Sequence, residues 1–151
     1  MHARRRELSV RFVARAGIKI GAQHQPLWTA ELAKVMYVDR VSVDELRKQY
    51  PEFAGYNLTH VDRIDDGKKL TTFPGRPLDF VIANHMPEHC KNPIGTVRAH
   101  LSKLKPGGVL YYAVPDRRFT FDFKRRLTDW EHLVRDDTEG TAWSREGHYR
   151  Q

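Results

Sequence analysis

The chain has a single cysteine, Cys90, among 151 residues. One thiol cannot form an internal disulfide framework or a cysteine-based zinc cluster, and a reducing cytoplasm is the default compartment. Long apolar runs are missing too. No stretch approaches the roughly 20 residues that span a bilayer, and the opening MHARRRELSVRFVARAG has arginines without the continuous apolar core of a secretory signal. No membrane partner is expected. Internal repeats and low-complexity linkers are absent. So is the turn GxGxxG, which argues against a nicotinamide-dependent oxidoreductase. His60, His100, His132 and His148 do not show the spacing of a metal site, so no required metal is expected.

The residues present describe an ordinary globular domain, 40% hydrophobic and 30% charged, expected as one unit over residues 1–151. A formal charge of +7 and a pI near 9.7 would suit an anionic partner. The basic residues fall into two groups, Arg4, Arg5, Arg6, Arg11 and Arg15, then Arg117, Arg118, Lys124, Arg125 and Arg126. Neither is a basic run interleaved with aromatics within a nucleic-acid module, and solvated helix faces account for them. A small-molecule substrate is therefore favoured over nucleic acid.

Short apolar runs alternate with amphipathic segments, the pattern of a parallel sheet covered by helices. Five strands are expected, at Gly17 to Gly21, Lys34 to Asp39, Leu58 to Asp62, Leu78 to Asn84 and Val109 to Val114. KVMYVD, LDFVIAN and VLYYAV are nearly continuous apolar stretches, as strands buried on both faces should be. An N-terminal helix is expected over 1–16, a core over 17–116 and a helical or irregular segment over 117–151, with one helix around Leu127 to Arg135. Ser42 with Glu45 forms a capping-box pattern that opens a helix. Ile94, Val97, Leu101 and Leu104 make one helical stripe, which Pro106-Gly107-Gly108 should stop.

Ligands of an open parallel sheet bind outside the C-terminal strand ends. That rule selects Gly21 to Gln25, Asp39, Asp62 to Asp66, Asn84 to His89 and Pro115-Asp116. Asp39 stands 18 positions after Gly21 (39 minus 21), near the offset at which a carboxylate meets ribose hydroxyls in nucleotide-binding folds. A strand-end cap is the other use of such an aspartate. Each neighbour also has an ordinary use: histidines cap strand and helix ends, Glu88 suits a helix N-terminus, Asp65-Asp66-Gly67 is turn chemistry, and Cys90 fits a small buried residue.

The run LDFVIANHMPEHCKNPIGTVRAHLSKLKPGGVLYYAVPDRRFTFD, preceded by IKIGAQHQPL, AKVMYVDRVS and VDRIDDGKKL, resembles class I S-adenosylmethionine-dependent methyltransferases over about residues 16 to 136. LKPGG after such a helix is the most specific part. The resemblance implies a Rossmann-like open, mainly parallel sheet of order 3-2-1-4-5 with helices on both faces. The hairpin of two further strands usual in the family is not evident. It implies S-adenosylmethionine as cofactor, with the backbone of Gly21, Ala22 and Gln23 near its methionine portion and Asp39 on the ribose. Asp62, Ile64 and Asp65 would line the adenine side, Asp65 taking the exocyclic amine. Asn84 and His85 would face the methionine and methyl groups, with His85 the candidate base, and Glu88 and His89 belong to a metal or substrate site in some relatives. The expected reaction is methyl transfer to a small-molecule or glycan-related acceptor.

Two positions depart from the family's first loop. Lys19 stands where an acid is usual and Gln23 where a second glycine is usual. A cation at Lys19 repels the ammonium group that the acid favours. The alternatives are a non-catalytic binding or scaffold domain with an altered cofactor loop, and a nucleic-acid methyltransferase.

Overall fold

A computed structural model describes residues 2–144. The remainder of the expected C-terminal segment, with His148, lies outside the described residues. Five strands form one sheet: β1 (Ala16–Ile20), β2 (Lys34–Asp39), β3 (Arg63–Ile64), β4 (Leu78–Asn84) and β5 (Leu104–Ala113). All pair in parallel, in the order β3-β2-β1-β4-β5, so the sheet is Rossmann-like as expected and wholly parallel. Helices are α1 (His2–Phe12), α2 (Val43–Gln49), α3 (Pro93–Lys103) and α4 (Trp130–Thr138).

The two-residue side-chain period of a strand divides the core into two layers. Ile18, Ile20, Val38, Val81 and Ala83 point to one face, where Leu70, Phe73 and Leu104 cover them. Phe80 and Ile82 point to the other, where Val13, Leu27 and Val109 cover them. The first face carries α3, whose fully buried His100 donates from Nε2 to the Gly67 carbonyl at 2.6 Å and accepts at Nδ1 from the Tyr112 hydroxyl at 2.6 Å. The second carries α1, where Ser9 Oγ donates to the Trp28 carbonyl and Tyr111 donates to the Arg5 carbonyl at 3.4 Å. Gly17 permits that second layer. A Cβ there would lie 2.2 Å from the Phe80 carbonyl oxygen and 2.5 Å from its ring.

Local signals set the helix starts. Ser42 Oγ accepts from Glu45 N at 3.3 Å, Asn92 Oδ1 from Gly95 N at 2.7 Å, and Asp129 Oδ1 from His132 N at 2.8 Å, each satisfying a donor the helix itself leaves open. Several boundaries differ from expectation: α1 ends at Phe12 rather than at residue 16, and β5 at Ala113 rather than Val114. The third strand is not Leu58 to Asp62, because Leu58 is buried with Leu46 and Phe53 beneath α2, and ladder pairing starts only at Arg63. The stripe of α3 ends at Lys103 and β5 begins directly at Leu104, so Pro106-Gly107-Gly108 forms an irregularity inside the strand instead of a helix stop. Gly107 takes φ +77 there. β1 starts and ends one residue early, which frees Gly21 for the loop, and the last helix starts at Trp130, where Asp129 caps it.

Candidate functional site

The C-terminal ends of β1, β2 and β4 converge where chain order reverses, between β1 and β4. Gly21 leaves β1 with φ +62, its N–H donating to the Val38 carbonyl at 2.9 Å, and no atom lies within 4 Å of a Cβ built on it. The backbone there is open to a ligand. Two residues on, Gln23 also takes a left-handed backbone, φ +48, a conformation that favours glycine. A side chain in that conformation costs about 1 kcal/mol, so the loop needs external support.

Lys19 supplies some of it. Strand alternation points its side chain to the α1 face, where it is only 3% exposed, and Nζ donates to the Gln25 carbonyl at 2.5 Å. Burial, with the Arg5 charge adding to it, pulls the ammonium down to about 8. Lys19 therefore ties down the far end of the same loop.

Around this loop lies a cavity of about 1070 Å³. Its walls come from the Gly21 to Gln25 loop and Trp28, from Asn84, His85 and His89 after β4, and from Arg5 and Arg6 of α1. Asn84 Oδ1 and His24 Nδ1 are buried here without a hydrogen-bond partner. Unmet buried polar atoms are costly unless something binds them.

His85 has φ +54, and its N–H donates to the Ala113 carbonyl at 2.8 Å. Its Nε2 faces an Arg5 guanidinium nitrogen at 3.2 Å, and its Nδ1 faces Glu88 Oε1 at 3.4 Å. A guanidinium can only donate. Nε2 thus holds the lone pair and the proton sits on Nδ1, toward Glu88. A second cavity of about 880 Å³, lined by Arg117, Arg125 and Phe121 among others, adjoins the first and shares His85 and His89.

Asp39, at the end of β2, accepts from Arg40 N at 2.8 Å. Burial raises its carboxyl above the ordinary value despite that bond and the Arg40 charge. Its register partner is Ile64, 55% exposed, so a carboxylate and a bare apolar side chain stand side by side at the sheet end. Asp62 and Asp65 are differently employed. Asp62 Oδ2 accepts from Tyr37 N at 2.6 Å and Oδ1 meets His60 Nε2 at 3.1 Å, extending the pairing with β2. The Asp65 carboxylate is buried and accepts from Gly67 N at 3.0 Å, Thr72 N at 2.9 Å and Thr72 Oγ1 at 2.8 Å. Burial acts to raise its carboxyl, but those donors together hold it below the ordinary range. Its acceptor capacity is spent inside its own loop.

Gly21, Ala22, Gln23, Asn84 and His85 therefore share one cavity, Asp39 and Ile64 flank the neighbouring sheet end, and Asp62 and Asp65 brace the loops. Cys90, half-buried, donates from Sγ to the Met86 carbonyl at 3.4 Å. Sequence reading missed Arg5, Arg6 and Trp28 as cavity residues. The only available signal was the arginine-rich opening segment, whose partner surface is set by how α1 docks. Among the described residues no three His, Cys, Asp or Glu side chains gather as a metal site requires, and no helix is long and apolar enough to cross a membrane.

No curated protein matches the sequence. The family model described as a methyltransferase domain matches residues 19–148. With the sheet order and the loop at its switch point, that match covers most of the chain, which belongs to the methyltransferase-domain family.

Proposed function

We propose that the protein is an S-adenosylmethionine-dependent methyltransferase acting on a small-molecule or glycan-related acceptor. The observation that carries this reading is the meeting of open Gly21, unpartnered Asn84 Oδ1 and the Asp39–Ile64 pair at one end of the sheet. The residues fit the cofactor. Asp39 would accept from ribose hydroxyls with Ile64 against the base, and Asn84 Oδ1 would accept from the methionine ammonium near Gly21 to Gln23. S-adenosylmethionine, when bound, supplies a methyl group already activated on a sulfonium.

Little covalent help is then asked of the chain, and alignment of the acceptor gives most of the rate. A proton-bearing acceptor needs a base. His85 Nε2 has the lone pair for it, with Nδ1–H oriented by Glu88, but Arg5 holds that lone pair and must move aside first. Lys19 favours a second reading, a binding domain without catalysis, because its ammonium opposes a cationic cofactor. Calorimetry with S-adenosylmethionine and S-adenosylhomocysteine decides between the two. The catalytic reading expects both to bind, and Lys19→Glu to bind S-adenosylmethionine more tightly; silence toward both at millimolar ligand refutes it.

A further inference from the structure

The first cavity carries charge of one sign. Arg5, Arg6 and Lys19 line it, together with His24, His85 and His89, and no aspartate or glutamate does. Among the described residues none of the three cations forms a carboxylate ion pair. Arg5 touches His85, Arg6 lies over the Trp28 ring at 4.9 Å, and Lys19 meets a carbonyl. Some cations elsewhere are neutralised: Arg15 and Lys105 both reach Asp79, at 3.8 and 2.9 Å. Grouped cations around a concave, partly dehydrated space raise the local concentration of anions.

An independent observation points the same way. The Gln25 side-chain amide nitrogen lies 3.1 Å from His24 Nε2. That nitrogen donates, so His24 carries its proton on Nδ1, the atom buried without a partner. It is an unused donor in the cavity that Arg5 and Arg6 line. S-adenosylmethionine brings one carboxylate but a net positive charge, so a wall of three cations exceeds what the cofactor calls for. Arg5 and Arg6 also belong to α1, which precedes the family match at residue 19.

We propose that the cavity binds the methyl acceptor through an oxyanion, a carboxylate or phosphate that the acceptor carries, held by Arg5 and Arg6 beside His85. This rests on the methyltransferase reading for the word acceptor, while the oxyanion site stands on the cavity alone. Seating the anion on Arg5 offers that guanidinium another partner and releases His85 Nε2. The substrate's charge and the freeing of the base are then one event.

Trp28, under Arg6, reports on the site. Titrating the full chain with malonate and with inorganic phosphate should change its fluorescence saturably, and Trp28→Phe should abolish the signal. Arg5→Gln with Arg6→Gln should weaken binding at least tenfold, Arg5→Lys with Arg6→Lys should restore part of it, and Arg11→Gln, on the same helix outside the cavity, should leave it unchanged. Circular dichroism checks that each variant is folded. With S-adenosylhomocysteine saturating, malonate affinity should persist. No saturable response to either anion, equal loss with Arg11→Gln, or competition with S-adenosylhomocysteine would overturn the proposal; competition would assign the cations to the cofactor's own carboxylate. Calorimetry of S-adenosylhomocysteine alone reports separately on the methyltransferase reading, which can fail while the oxyanion site survives.

Discussion

Replacing Lys19 with methionine keeps the length of the buried stem and removes its charge. The ammonium falls from 10.5 to about 8 in the folded protein, and 2.5 units at ~1.4 kcal/mol each are worth about 3 kcal/mol. The sign follows from which state binds more protons. Between pH 8 and 10.5 the unfolded chain keeps the lysine proton that the folded chain has shed, so stability rises with pH across that window. Below pH 8 the whole penalty of a buried cation is in force. Lys19→Met removes that penalty but forfeits the charged hydrogen bond to the Gln25 carbonyl, worth about 2 kcal/mol. At pH 7 the variant should therefore be more stable by about 1 kcal/mol, or roughly 0.5 M in urea midpoint at a typical slope of ~2 kcal/mol per M. Above pH 10.5 the advantage should vanish or change sign. Because Tyr37 and Tyr112 are raised by burial and also titrate in alkali, the difference between variant and parent is the quantity to follow. A variant less stable at pH 7, or a difference that stays constant from pH 7 to 10.5, would refute the reasoning.

His100 is pulled below its ordinary value, chiefly by burial, against the opposing pull of its Gly67 bond and of Asp66 and Asp65. Stability should be full above about pH 6.5 and fall with acidification below it, and His100→Gln should lose that part of the decline in thermal melts between pH 8 and 5. Gly17→Ala drives a methyl group into the Phe80 carbonyl and ring, so it should cost about 3 kcal/mol or more, whereas Gly55→Ala, with nothing within 4 Å, should leave the urea midpoint nearly unchanged. Asp39→Asn removes the charged acceptor proposed for the ribose, and calorimetry should find S-adenosylhomocysteine bound about tenfold more weakly or worse; an unaltered affinity would refute that placement.

The sheet was legible where burial alone decides the residues. β2 and β4 lie where KVMYVD and LDFVIAN place them, because a strand covered on both faces must be apolar throughout. β3 was not legible. Leu58 is apolar for the sake of Leu46 and Phe53, and two bonds between Asp62 and Tyr37 carry the chain into register without an apolar pattern. The same limit divides the candidate site. Position after a strand end brings Gly21, Asp39, Asn84 and His85 to the C-terminal edge of the sheet, but it says nothing of where a carboxylate turns, and Asp65 turns inward to Thr72. Arg5 and Arg6 join the cavity only because Val13, Ser9 and the Arg5 carbonyl dock α1 against the second face of the sheet.

Lys19 and Gln23 of the proposed cofactor loop are mechanically related, and that relation decides what Lys19→Glu can achieve. Gln23 occupies a glycine-like backbone, and the Lys19 ammonium anchors the turn two residues later at Gln25. Glutamate cannot donate to that carbonyl, so the loop loses a charged hydrogen bond worth about 1.5–3 kcal/mol. In exchange, the field at a bound ammonium changes by two unit charges. At about 6 Å and an effective dielectric of ~20, each unit is worth on the order of 3 kcal/mol. The electrostatic gain exceeds the structural loss, so S-adenosylmethionine should bind Lys19→Glu more tightly even though the protein itself becomes less rigid around Gln23. An anionic ligand in the same cavity should respond with the opposite sign, since it loses a favourable cation and meets a carboxylate.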